Sequence, residues 1–206
     1  TAPTVSFRRV RRPVGAALLS LLVVLGWSSA QLRAANAEAA KKSGAAPCRI
    51  ASLILAGDEI LLDLLPRRCL RAVSTYARIS AFSNVAEKAK GIPTIAHNIE
   101  QIIHLQPDLV ILASYSDLAF KRLLRAVGIP IYEYRQFNSI NEILGSIREL
   151  GTVVGARDRA EELVAELRLR LAALQERAGA VSGIRVLYYT FGGFVHGEDT
   201  SIGAVI

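Results

Sequence analysis

From residue 49 to residue 155 short apolar runs alternate with segments of helical period, and most junctions carry a cap or a stop signal. The run RIASLI at 49–54 is an expected buried strand, and EILLDLL at 59–65 is an expected helix halted by Pro66. LRAVST at 70–75 gives a second strand, LVILAS at 109–114 a third and IYEY at 131–134 a fourth. NIEQIIHL at 98–105 opens on Asn98 with Gln101 three residues later, the arrangement of a capping box. Asp117 caps a further helix that runs to Val127 and stops at Gly128 and Pro130. Ser139 and Glu142 repeat the capping box ahead of a helix that ends near Gly155. Only 76–96 lacks a period, and it reads as a long loop. Strands alternating with helices in this way bury both faces as a parallel sheet with helices on either side. The pattern predicts an α/β fold.

A longer helix follows. Asp158 and Glu161 stand at its start as caps, Leu163, Val164, Leu167, Leu171 and Leu174 form one apolar stripe, and Gly179 ends it. About 20 residues at 1.5 Å each make a rod of roughly 30 Å, the width of a small domain. IRVLYYTF at 184–191 then reads as a fresh buried strand. A rod of that length between a finished α/β unit and a new strand predicts two lobes joined by a helix. The expected boundaries are a first lobe at 48–155, a connecting helix at 156–180 and the start of a second, incomplete lobe at 181–206.

The opening residues are of another kind. Arg8, Arg9, Arg11 and Arg12 precede the apolar run VGAALLSLLVVLGW at 14–27, and small residues follow at Ser28-Ser29-Ala30 and Ala35-Asn36-Ala37. A basic head, an apolar core and a small-residue end are the anatomy of a secretory signal. The run is short for a membrane span, which needs about 20 residues. Residues 1–37 are therefore read as signal peptide and lead-in, cleaved after Ala30 or Ala37, with the mature protein in the periplasm; a retained anchor is the alternative. Cys48 comes too late after the run to be a lipid-attachment site. The four arginines hold more than half of the net charge of +7, and the rest of the chain lacks the basic stripe of a nucleic-acid binder.

The chain has two cysteines, Cys48 and Cys69, each immediately before an expected strand. If those parallel strands are neighbours, both lie at one edge of the sheet, within the Cα range of about 4.4–6.8 Å for a disulfide, and an exported protein keeps such a bond. His97 and His104 lie two helical turns apart with Glu100 between them, but a zinc site needs three or four converging ligands, so no metal site is assigned. AGDE after the first strand is neither a dinucleotide fingerprint nor a phosphate loop. With no serine nucleophile elbow either, no catalytic residue is named.

RIASLILAGDEILLDL followed by AVSTY, then GIPTIAHNIEQIIHLQPDLVILAS at 91–114, then RVLYYTFGG beyond the long helix, carry a resemblance in their order. From about residue 48 to residue 206 the chain resembles the class III periplasmic binding proteins, which serve ABC importers of cobalamin, haem and ferric siderophores. The resemblance implies two Rossmann-like lobes joined by a long helix, the second truncated here, with little hinge motion. It implies a monomer that is not an enzyme and has no cofactor of its own. Its ligand would be haem, cobalamin or a ferric siderophore, held between the lobes and passed to an importer permease. Tyr76 matches the family's ligand-contacting aromatic after the second strand. In an open parallel sheet ligands lie beyond the carboxyl ends of the strands, and there Arg78, Tyr115, Arg135 and Phe191 join Tyr76 as candidates. Glu100, in a first helical turn, matches the glutamate that docks on permease arginines. The turn Ala56-Gly57-Asp58-Glu59 departs from the family's Ser/Pro-rich turn ending in Thr-Glu and keeps only the glutamate. An exported Rossmann-like enzyme of chelatase or reductase type, or an anchored sensor domain, is the alternative reading.

Overall fold

The computed structural model describes residues 46–135, 138–179, 185–190, 195, 197 and 200–203, all within the unit Asn36–Ile206. Each of the four apolar runs forms a strand: β1 (Ile50–Ser52), β2 (Leu70–Ser74), β4 (Leu109–Ala113) and β5 (Ile131–Tyr134). A fifth, β3 (Thr94–Ile95), lies inside the segment expected to be a loop. Two residues are too few to show a period of two, so the strand is recognisable only by its pairing with Val73 and Ser74 of β2. The strands form one parallel sheet in the order β3-β2-β1-β4-β5.

Helices α1 (Leu55–Leu64), α2 (Ile99–Leu105), α3 (Leu118–Ala126), α4 (Ile140–Val153) and α5 (Arg157–Ala178) cover the sheet. Alternation along the strands decides which face each helix covers. In β4, Leu109 and Ile111 join Ile60 and Leu61 of α1, Leu144 of α4 and Leu163 of α5 in one core. Val110 and Leu112 join Ile102 of α2 and Leu124 of α3 in the other. Each such side chain contributes roughly 1.5–3 kcal/mol on burial. The sheet is wound in both directions, with its switch point between β1 and β4.

Three helix starts follow their caps. Asn98 accepts the N–H of Gln101 at 2.9 Å, Asp117 that of Phe120 at 2.8 Å and Ser139 that of Glu142 at 3.2 Å. Two starts differ from expectation. Helix α1 begins at Leu55 rather than residue 59, so Ala56-Gly57-Asp58-Glu59 is helical and not a turn. A Cβ on Gly57 would stand 2.9 Å from Ser52 Oγ and 3.1 Å from Ile111, and its absence lets α1 start directly on the sheet. Helix α5 begins at Arg157 behind Ala156, with no side-chain cap. The Ala156 N–H bonds to Gly151 O at 2.7 Å, so the chain folds straight from α4 into α5, and Glu161 instead meets Arg148 at 2.8 Å.

The expected strand at 184–191 is not formed over 185–190. Those residues are mostly exposed and carry no regular strand, with an isolated antiparallel bridge from Tyr189 to Val195. A buried parallel strand needs strand neighbours on both sides, and the five-stranded sheet does not include this segment. The α5 stripe is also shorter than its sequence suggests. Leu163 and Val164 are buried and Leu167 and Leu171 packed at the margin, whereas Leu174 is exposed. Residues 1–37 lie outside the described residues. Among the described residues no helix is long and apolar enough to cross a membrane.

Candidate functional site

The switch point opens a cleft of about 390 Å³ at the carboxyl ends of β1, β4 and β5, where a doubly wound sheet leaves its crevice. Ile54, Leu55 and Ala56 line it beyond β1, Ala113 at the end of β4 with Tyr115 just past it, and Tyr134 and Arg135 at the end of β5. Ile143 of α4 and Ser201 complete the wall. Two sequence candidates, Tyr115 and Arg135, meet here. Tyr115 lines the cleft and is 78% exposed. Arg135 pairs with Glu149 at 3.4 Å, so a carboxylate already shares its charge.

The turn carrying Tyr115 is held from below. Lys121, only 7% exposed, donates from Nζ to Ser114 O at 2.8 Å and to Glu133 Oε2 at 2.9 Å. Arg125 meets the other oxygen of Glu133 at 2.5 Å. A buried ammonium needs such a counter-charge, and its bond to Ser114 O ties the end of β4 to α3. His97 approaches the same turn, with Nε2 at 3.5 Å from Ser116 Oγ and its ring 5.1 Å from that of Phe120.

Tyr76 and Arg78 occupy a 3-10 turn at Thr75–Arg78, directly after β2. They do not line the cleft beyond β1, β4 and β5. Tyr76 is 55% exposed and meets Phe82 edge to face at 6.0 Å between ring centres. Arg78 is exposed and has no ion-pair partner among the described residues. The remaining tyrosines divide. Tyr188 and Tyr189 are exposed, but Tyr132, at 2%, and Tyr134 are buried. Burial pushes both phenols up in pKa, and Tyr134 Oη lies 3.0 Å from Ser146 Oγ. Both belong to the core although their strand ends at the cleft. Phe191 lies outside the described residues.

Glu100 is exposed in the first turn of α2. It borders a second hollow, of about 440 Å³, at the β3 edge, lined also by Thr94, Gln101 and His104. On α2, Ile99 and Ile102 pack against the core and Ile103 is exposed. The inward row of this short helix is Ile99, Ile102 and Leu105, spaced by three. Cys48 and Cys69 form a disulfide with Cα atoms 4.2 Å apart, beside the paired Ile50 and Leu70. Among the described residues no cluster of three metal-ligating side chains occurs.

Two groups of consequence escaped the sequence reading. Ser201 reaches the cleft from a segment with no pattern of its own. Asp58 is wholly buried in α1, where burial raises its carboxyl from 3.8 to about 6 against the opposing bonds from Ser74 and Ser52. An acid in a helical apolar run is the signal that could have found it.

The family model for periplasmic binding protein matches residues 50–206. A cobalamin-binding protein of Halobacterium salinarum is 25% identical over 162 residues, 78% of this chain and 44% of that protein. An ABC transporter substrate-binding lipoprotein of Bacillus subtilis is 28% identical over 140 residues, 66% of this chain and 43% of that one. The chain thus spans under half the length of these curated relatives. Among solved structures, a periplasmic haem-binding protein of Roseiflexus sp. RS-1 superposes with a TM-score of 0.63 at 25% identity, covering 76% of this chain and 61% of that one. A periplasmic vitamin B12-binding protein of Vibrio cholerae gives 0.54 at 27% identity, covering 69% and 55%. The family model spans most of this chain, which belongs to the periplasmic binding protein family.

Proposed function

We propose that this protein captures a metal-chelate ligand of the cobalamin, haem or ferric siderophore class outside the cytoplasmic membrane and delivers it to the permease of an ABC importer. The observation that carries the reading is the open cleft at the switch point, with Arg135 and the exposed Tyr115 in its lining. Aromatic faces give a broad, flat ligand large contact area at little entropic cost. The Tyr76–Phe82 pair offers a second aromatic surface at the β2 end, and the neighbouring Arg78 suits an acidic substituent through a charge-assisted bond. The names of the relatives, cobalamin-binding and haem-binding, support the ligand class.

In this reading 48–155 forms the first ligand-binding lobe and α5 is the connector to a second, which starts within 181–206. A single 22-residue helix between lobes limits hinge motion. Phe191 would contribute from the second lobe, and Glu100, exposed on α2, would meet permease arginines. The protein acts as a monomer, binds without turnover and holds no cofactor of its own. It works in the periplasm after loss of its signal peptide behind Ala30 or Ala37.

The test is a visible absorption spectrum of the full-length protein isolated from the envelope of its own cells. A corrin, haem or ferric-chelate band that co-purifies in near-stoichiometric amount is expected. A colourless protein that also converts a supplied chelate to product would overturn the reading in favour of an enzyme.

A further inference from the structure

The segment that carries Tyr76 is tied to the first half of α1 at two places. Asp58 accepts the backbone N–H of Ser74 with both carboxylate oxygens, at 3.2 and 3.1 Å. Its neighbour Glu59 accepts the backbone N–H of Asn84 at 3.0 Å and the Asn84 amide at 3.2 Å. Residues 74–84, with Tyr76, Arg78 and Phe82 among them, are thus stapled between two adjacent carboxylates. The staples differ in setting. The bond to Asn84 is exposed and that to Ser74 is buried.

We propose that Asp58 is a positioning residue for the ligand-facing turn Thr75–Arg78, acting through the Ser74 N–H, and that ligand affinity falls when Asp58 takes up a proton. The proposal rests on the reading that Tyr76 and Arg78 contact ligand. An N–H bond to a carboxylate is shorter and stronger than one to a neutral carboxyl. Protonation therefore loosens the base of the turn, and a turn that is correctly placed only part of the time lowers the apparent affinity by that fraction.

The surroundings put the titration in an accessible range. Burial raises the Asp58 carboxyl to about 6, hydrogen bonds from Ser74 and Ser52 oppose it, and the charge of Glu59 adds to it. Of the other elements packed on α1, β1 brings the uncharged Ser52 and the 3-10 turn brings Tyr76 and Arg78, both exposed. From α5, Arg159 reaches Asp63 O at the opposite end of α1. Because the folded pKa lies above the ordinary value of 3.8, this group's contribution to stability is full in acid and is lost as pH rises through about 6. Weaker binding in mild acid is then a local effect and not the onset of unfolding driven by this group.

The test follows the full chain by NMR from about pH 7.5 to about pH 5, without ligand, and then measures binding of cyanocobalamin and haemin at both ends. The Ser74 amide and the Tyr76 ring should shift with the midpoint of the Asp58 carboxyl. Asp58→Asn, which keeps an acceptor for the N–H, should abolish those shifts. Whichever probe binds should lose at least about threefold in affinity over this range in the wild type and hold steady in Asp58→Asn. Tyr76 signals that stay still while Asp58 titrates, or a variant whose pH profile matches the wild type, would overturn the proposal. If neither probe binds at any pH, the functional reading has failed, and the shared midpoint of Asp58, Ser74 and Tyr76 still decides the positioning role.

Discussion

Tyr76 illustrates how one residue separates a binding role from a packing one. The residue is more than half exposed, and among the described residues its ring meets that of Phe82, edge to face. Exposed positions of this kind change stability by no more than about 0.5 kcal/mol on substitution. An aromatic contact with a flat ligand is worth about 0.5–1.5 kcal/mol beyond the area it covers. Tyr76→Ala is therefore expected to weaken chelate binding by about tenfold, near 1.4 kcal/mol, and to leave the melting temperature within about 2 °C of wild type. Calorimetric melting and equilibrium binding on the same sample check both halves. A large fall in melting temperature with unaltered affinity would assign the ring to packing.

At the scale of elements, α3 is the part that holds a cleft side chain in place. Lys121 bridges Ser114 O at the end of β4 to Glu133 in β5, and both charged groups are nearly excluded from water. Lys121→Met leaves the buried Glu133 short of a cation and releases the turn before Tyr115. A loss of roughly 3 kcal/mol in denaturant unfolding is expected, with much of it restored by adding Glu133→Leu. An unchanged unfolding midpoint would show that the pair carries no such load. The elements themselves were legible where a period or a cap spoke for them. β1, β2, β4 and β5 follow their apolar runs, and Asn98, Asp117 and Ser139 cap as their side chains dictate. What escaped was set by tertiary contact. β3 is defined by its pairing with β2, the start of α1 by the close approach of Gly57, and the start of α5 by the Ala156 bond to Gly151. The same holds for the site. Tyr115 and Arg135 were marked by their place after strands, whereas the Lys121 bond, the Asp58 staple and the reach of Ser201 join residues distant in sequence.

For the molecule as a whole, the sheet order fixes where the crevice lies. Helix α1 leaves β1 toward one core and α3 leaves β4 toward the other, so the gap between them is the one crevice the winding itself creates. The disulfide between Cys48 and Cys69 closes the opposite end of the sheet and ties the start of β1 to β2. The end beyond β1, β4 and β5 stays open as the cleft. The central claim is that this end takes up a metal chelate. Its most direct measurement is an equilibrium titration of the full-length protein with cyanocobalamin, haemin and a ferric siderophore, followed by tyrosine fluorescence and by the absorption of the chelate. The account predicts saturable one-to-one binding of one of the three at micromolar dissociation constant or better, with affinity cut by about tenfold or more in Tyr115→Ala. Absence of saturable binding for all three, or binding that Tyr76→Ala and Tyr115→Ala together leave untouched, would contradict it.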